Sequence, residues 1–298
     1  MTGGRDMNRI FLLAAVTGIF LAAGCQKADE GSHPVILYAL TPTRTSVEFN
    51  IFSWQEDETI AVGTAYPEGN PGEEFVSFSL VDASTGAFSH TFEGEDPTLG
   101  VAVSPAFAAG IYRGDNDYTV TLPRLYEGYV PGTTNALMIG TKISDTPVRY
   151  RFHHAGAVIK VTYVNVPAGT SELGLSTDYP LAGTVTLHGT SVEETEITNQ
   201  AQGLYDYEIR ICLAEAVQAD GATVSFYVPL PTGTYNYLSV YLLKGDEWVQ
   251  DSGKSLNRSL TLSRGDILTL PPITFPMETG VGFGEQGNIR DIDDDWWN

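Results

Sequence analysis

Five histidines, two cysteines and 37 Asp and Glu among 298 residues are what this chain offers for chemistry. His153 and His154 are adjacent, as a pair of metal ligands could be. They follow Val148, Tyr150 and Phe152, which alternate with polar residues, so the pair falls on a strand. Successive strand side chains point to opposite faces, and the two imidazoles cannot readily share one ion. His153 is expected to face solvent and His154 to pack against a neighbouring layer. His33, His90 and His188 stand alone. No Gly-x-Ser-x-Gly, no HExxH and no cysteine with an activating neighbourhood occurs. Asp291, Asp293 and Asp295 have the alternation of a calcium loop, but Trp296 stands where such a loop needs Gly. The paired carboxylates of a glycosidase could lie among so many acids, yet nothing singles out two of them. The expectation is a chain that is not an enzyme and holds no cofactor and no metal.

The acids matter more through their sum. Sixteen Lys and Arg against 37 Asp and Glu give a net charge of -21. A phosphate backbone is held by neutralising cations, and no basic patch escapes the average, so nucleic acid is excluded as a partner. Charged residues make up only 18% of the chain, below the roughly 25% usual for soluble domains, which argues against long solvent-facing helices and wholesale disorder.

Cys25 has a different chemistry in prospect. Arg5 and Arg9 precede an apolar run from Ile10 to Gly24. At 1.5 Å per residue the run reaches about 22 Å, short of the ~30 Å hydrocarbon core, so it reads as a secretory segment over 1–24. Leu21-Ala22-Ala23-Gly24-Cys25 is similar to the end of a bacterial lipoprotein signal peptide, which would make Cys25 the lipidated first residue. The alternative is an ordinary signal peptide with an incidental cysteine. Gln26-Lys27-Ala28-Asp29-Glu30 opens an acidic linker over 25–34 and is similar to the tract that sends Bacteroidetes lipoproteins to the outer face of the outer membrane. With Cys25 acylated, Cys212 has no disulfide partner, and stability must come from sheet packing.

The elements that position these residues are strands. Period-two alternation appears in Val76, Phe78, Leu80; in Tyr118, Val120, Leu122; in Ile159, Val161, Tyr163; in Val224, Phe226, Val228; and in Tyr205 to Leu213, which places Cys212 on a polar face as an inert thiol. Turn signals such as Ser84-Thr85-Gly86, Pro131-Gly132 and Lys244-Gly245-Asp246 separate the runs. Only Ala214 to Asp220 looks like a helical turn. The pattern predicts an all-β chain, and its length suits two β domains, 35–147 and 148–276, with the boundary at Ser144-Asp145-Thr146-Pro147. From 277 to 298 four glycines interrupt any regular element before Asp291 to Asp295 and the pair Trp296-Trp297. Two tryptophans have much to gain from burial, so this flexible tail is a candidate donor strand; the alternative is a frayed acidic end.

Four features, in order, resemble the fimbrillin-like (Mfa-like) surface lipoproteins of Bacteroidetes, subunits of type V pili. The first is the lipoprotein signal. The second is Thr43-Arg44-Thr45 leading into Trp54-Gln55-Glu56-Asp57-Glu58-Thr59-Ile60-Ala61-Val62. The third is Tyr150-Arg151-Phe152-His153-His154-Ala155-Gly156-Ala157-Val158-Ile159-Lys160-Val161. The fourth is Phe226-Tyr227-Val228-Pro229-Leu230-Pro231-Thr232-Gly233-Thr234-Tyr235, with Leu262-Ser263-Arg264-Gly265-Asp266 before the last strand. The resemblance implies two tandem transthyretin-like β-sandwich domains and a lipid-anchored precursor at the cell surface. Its partners would be other fimbrillin subunits, as a homo- or hetero-polymer, and the outer membrane through lipid on Cys25. In polymerising members a first strand is removed after an arginine, and Arg44 is the candidate cleavage site; it is alternatively the turn arginine of the wider family. Val35 to Leu40 is the strand that would go, its unbroken apolar run suggesting that both faces are covered. A neighbour's strand would then refill the groove, gaining ~6 to 12 kcal/mol if about four large side chains are buried. The runner-up is a monomeric surface lipoprotein that binds glycan or host protein through Tyr-rich loops near Tyr126 to Tyr129.

Overall fold

The computed structural model describes residues 32–40, 54, 56–66, 73–249, 252–256 and 258–275. Cys25, Arg44, the segment 1–24 and the tail 277–298 lie outside the described residues.

The architecture is all-β, as the alternating runs predict. In chain order the strands begin with β1 (His33–Leu40), β2 (Thr59–Ala65), β3 (Glu74–Asp82), β4 (Ala87–Phe92) and β5 (Thr98–Ser104). After a 3-10 turn at Ala106–Ala108 come β6 (Ala109–Tyr112), β7 (Asp117–Leu122), β8 (Leu125–Tyr129), β9 (Met138–Asp145) and β10 (Val148–His154). The second half holds β11 (Ala157–Val166), β12 (Glu172–Thr177), β13 (Ala182–His188), β14 (Leu204–Asp206), β15 (Glu208–Leu213) and β16 (Ala222–Leu230). It ends with β17 (Gly233–Tyr235), β18 (Leu238–Lys244), β19 (Glu247–Trp248), β20 (Lys254–Ser255), β21 (Leu260–Leu262), β22 (Ile267–Thr269) and β23 (Ile273–Thr274). Ala214 to Asp220, expected as a helical turn, forms bends instead.

Seven strands close on themselves in the order β1-β10-β9-β5-β2-β3-β4. β1 is the closing piece, antiparallel to β4 and parallel to β10. The sheets therefore do not divide between 147 and 148: β10, expected to open the second domain, completes the first ring. Other pairings also cross that point, since β7 joins β13 and β8 joins β15. Strand pairing is set by surfaces distant in sequence, which a local run of turn residues does not report. The linker expected over 25–34 likewise gives its last two residues to β1.

Three large apolar clusters fill the molecule. Inside the ring lie Leu37, Trp54, Ile60, Phe78, Phe88, Phe92, Tyr150 and Phe152. A second cluster joins the other face of β5 and β9, through Val101, Val103 and Ile139, to β7 and β13. The third and largest is mostly aliphatic and belongs to the C-terminal sheets, with Ile159, Val161, Leu173, Val228, Val240 and Leu242. One C-terminal sheet runs β19-β18-β12-β15-β8, with β20 beside β18. On its outer face Tyr241 lies flat on β12, where a Cβ on Gly174 would stand 2.2 Å from the Tyr241 Cζ. Only glycine lets that ring seat so closely.

Candidate functional site

The strand expected to be exchangeable is β1, and its setting can be built from its residues. Its sequence is almost wholly apolar, yet its burial alternates: Leu37 and Ala39 are buried, while Ile36 is 47% and Leu40 40% exposed. The expectation that both faces are covered is therefore corrected. β1 lies in the wall of a ring and not between two layers. Its inward payload is Leu37 and Ala39, with Val35 partly buried, so the gain from seating such a strand is nearer ~2 to 4 kcal/mol of apolar burial than 6 to 12. The rest of its hold comes from two hydrogen-bonded ladders.

Its far end is fixed by contacts from outside the ladder. Ala39 donates its backbone N–H to the Gly86 carbonyl, 2.8 Å, and the Trp54 indole N–H donates to the Ala39 carbonyl, 3.0 Å. Gly86 has φ of +63°, and a Cβ there would meet the Ala39 oxygen at 2.4 Å, so the turn before β4 needs glycine. Trp54 packs edge-on against Phe88 and Phe152, with centroids 4.9 and 5.5 Å apart. Trp54 comes from the second family-like motif and Phe152 from the third, and the ring core brings them together. Arg44 follows β1 closely in sequence and lies outside the described residues.

The third and fourth motifs meet where β10 leads into β11. Ile197 donates to the Ala155 carbonyl at 2.7 Å, Thr232 to the Ile197 carbonyl at 2.8 Å, and Gly265 to the Gly156 carbonyl at 2.8 Å. Tyr235 is fully buried and its hydroxyl donates to the Pro231 carbonyl, 2.9 Å. Arg264 donates to the Val192 carbonyl at 2.6 Å, and Thr232 to Glu196 at 2.8 Å. These residues make a joint between ring and C-terminal sheets. The spacing within each motif signalled strands and turns, not this meeting.

His153, expected to face solvent, is instead half-buried, drawn in by the Thr195 hydroxyl 2.6 Å from its Nε2. Burial, and then the Arg264 charge, push its pKa down to about 4. His154 is buried, as expected, and burial with the neighbouring His153 lowers it likewise to about 4. Among the described residues no group of three or more His, Cys, Asp or Glu could hold a metal ion. Cys212 is a free thiol whose pKa is pushed up to about 11 by burial and by the Glu172 carboxylate. Tyr126 and Tyr129, expected on a binding loop, lie on β8 and are buried in the C-terminal core. Tyr205 and Tyr207, read as inward-facing, are instead 67% and 54% exposed. No helix among the described residues is long and apolar enough to cross a membrane.

No family model matches the chain, and no curated protein sequence matches it. Among solved structures, a candidate cell adhesion protein from Bacteroides ovatus is similar over 82% of this chain and 93% of its own, at 14% identity and a TM-score of 0.47. One from Bacteroides fragilis is similar over 86% and 100%, at 11% identity and a TM-score of 0.39. The fimbrial anchor protein Mfa2 from Porphyromonas gingivalis is similar over 78% and 82%, at 13% identity and a TM-score of 0.33. The structural likenesses are to cell adhesion and fimbrial proteins.

Proposed function

We propose that this chain is a fimbrillin of a surface pilus, either a structural subunit or an accessory one at the tip or anchor, with a structural and not a catalytic role in adhesion. In this reading it is exported as a lipoprotein through Cys25 and assembled by strand exchange after cleavage at Arg44. One observation carries the reading: β1 closes the ring, with β4 on one side and β10 on the other, and ends four residues before Arg44. Losing it would unpair two strand edges at once and uncover Phe88, Tyr150 and Phe152 around the seat of Leu37. A strand from a second subunit would restore both ladders and the core contact together.

The test is incubation of the purified chain with an arginine-specific protease. Release of a fragment ending at Arg44, with laddered oligomers, is the expected result. A product that is clipped there and stays monomeric, even with subunits from the same locus, counts against assembly by exchange. The N-terminus of the protein taken from cells separates the two forms: lipidated Cys25 marks a retained anchor, and Thr45 a matured subunit.

A further inference from the structure

The most exposed large aromatic ring among the described residues after Tyr205 is Trp248, at 61%, and it is built into its place. It lies on the short strand β19, diagonal to Tyr241 across the β18–β19 hairpin. The two rings stack almost parallel, at 10° and 3.8 Å between centroids. Tyr241 is buried between Trp248 above and β12 below, so the indole rests on a rigid floor. The Tyr241 hydroxyl donates to Glu208 Oε1 at 2.8 Å, and Arg210 Nε donates to the same oxygen at 3.2 Å. Arg210 Nη1 lies 3.6 Å from Asp246 Oδ1 and 3.7 Å from Glu172 Oε2. Asp246, two residues before Trp248 in the hairpin turn, is fully exposed.

A hairpin end does not need a tryptophan, and an indole left mostly in water forgoes the stabilisation that burial gives it. This one presents a flat apolar surface with hydrogen-bonding groups at its rim, fixed in advance by the stack and the Arg210 network. That combination matches a sugar ring, whose C–H face is apolar and whose edge carries hydroxyls that donate to carboxylates and accept from guanidinium. The sign of charge narrows the class. Three carboxylates surround one guanidinium in a chain of net charge -21, which disfavours uronic, sialic and sulfated sugars.

We propose that the outer face of the β19-β18-β12-β15-β8 sheet binds a neutral pyranose unit of a glycan, stacked on Trp248 with hydroxyls held by Asp246 and Arg210. The site is on the C-terminal sheet, away from β1, and does not depend on strand exchange.

Native affinity electrophoresis of the purified full chain tests it, in gels holding mannan, galactan or dextran as neutral polymers and heparin or polygalacturonate as anionic ones. At least one neutral polymer should retard the chain, and Trp248→Ala should weaken retardation about tenfold, as removal of a central aromatic contact does. Trp248→Phe, which keeps a stacking ring, should retain part of the binding; this separates stacking from any loss of folding, which near-ultraviolet circular dichroism monitors. The proposal is overturned if no neutral polymer retards the chain, if Trp248→Ala is retarded equally, or if an anionic polymer binds best. Adhesion to a protein surface that requires Trp248 in the absence of any polysaccharide binding also overturns it.

Discussion

In the N-terminal ring each strand has two hydrogen-bonded neighbours, whereas the C-terminal sheet through β12 ends in edges at β19 and β8. The ring surrounds an aromatic core of Trp54, Phe78, Phe88, Phe92, Tyr150 and Phe152. The C-terminal body is filled mostly by Ile, Leu and Val and is the larger of the two. An open sheet that loses an edge strand simply has a new edge one strand further in. A closed ring that loses any strand acquires two edges where it had none. The ring's integrity is thus concentrated in single strands, and β1, which precedes the other six in the chain, is the one that a single backbone cut separates while leaving those six on one continuous chain.

The largest expected effect comes from breaking that concentration at its centre. Leu37→Asp places a carboxylate inside the ring and should cost about 4 kcal/mol or more. Hydrogen exchange should then show amides of β1, β4 and β10 exposed while β11 and β16 keep their protection. Equal loss in β11 and β16 would mean that ring and body form one cooperative unit. A smaller step at the same seat is Gly86→Val, which forces a branched side chain into positive φ against the Ala39 carbonyl and should cost about 2 to 3 kcal/mol. Its loss of protection should be confined to β1 and β4; a thermal midpoint unchanged within error would show that the turn yields freely.

The smallest effect lies at the joint. His153 and His154 have folded pKa values lowered to about 4, so the unfolded chain takes up their protons first, near 6.5. Their contribution is complete above about 6.5 and is lost as pH falls toward 4, read as a fall in melting temperature across that window. His153→Gln, which can still bond Thr195, should flatten part of that slope. A slope identical to the parent's would place the acid sensitivity elsewhere, among the carboxylates.

Most of the strands were legible because period two is a local property. Phe78, Val120, Ile159 and Phe226 face inward as their neighbours in sequence predicted. Partners were not legible, since nothing near Val148 says that its strand lies beside Leu37. Tyr205 and Tyr207 failed for a related reason. The chain leaves one sheet at β14 and enters another at β15, and the bend at Tyr207 reverses the inward parity before Ile209. Of the candidate site, the seat of β1 was half legible: its position was right, its two covered faces were not. The Trp248 platform had one available signal, an aromatic just after Lys244-Gly245-Asp246, with Tyr241 in the strand before that turn. Composition and motif scanning pass over such a pair because it lies across a hairpin and not along a run.

The parallel pairing of β1 with β10 also sets an order of events. Leu37 sits opposite Val148, so more than a hundred residues separate partners that must touch. Contacts of such long span form late, after hairpins such as β2–β3 and β3–β4, whose partners are close in the chain. During synthesis β4 is therefore complete before the residues of β10 exist, and the ring spends its early life as a gapped sheet. The seam between β1 and β10 is therefore the last to close in a single molecule, and for that interval any strand of suitable shape competes with β10 for the open edge of β1.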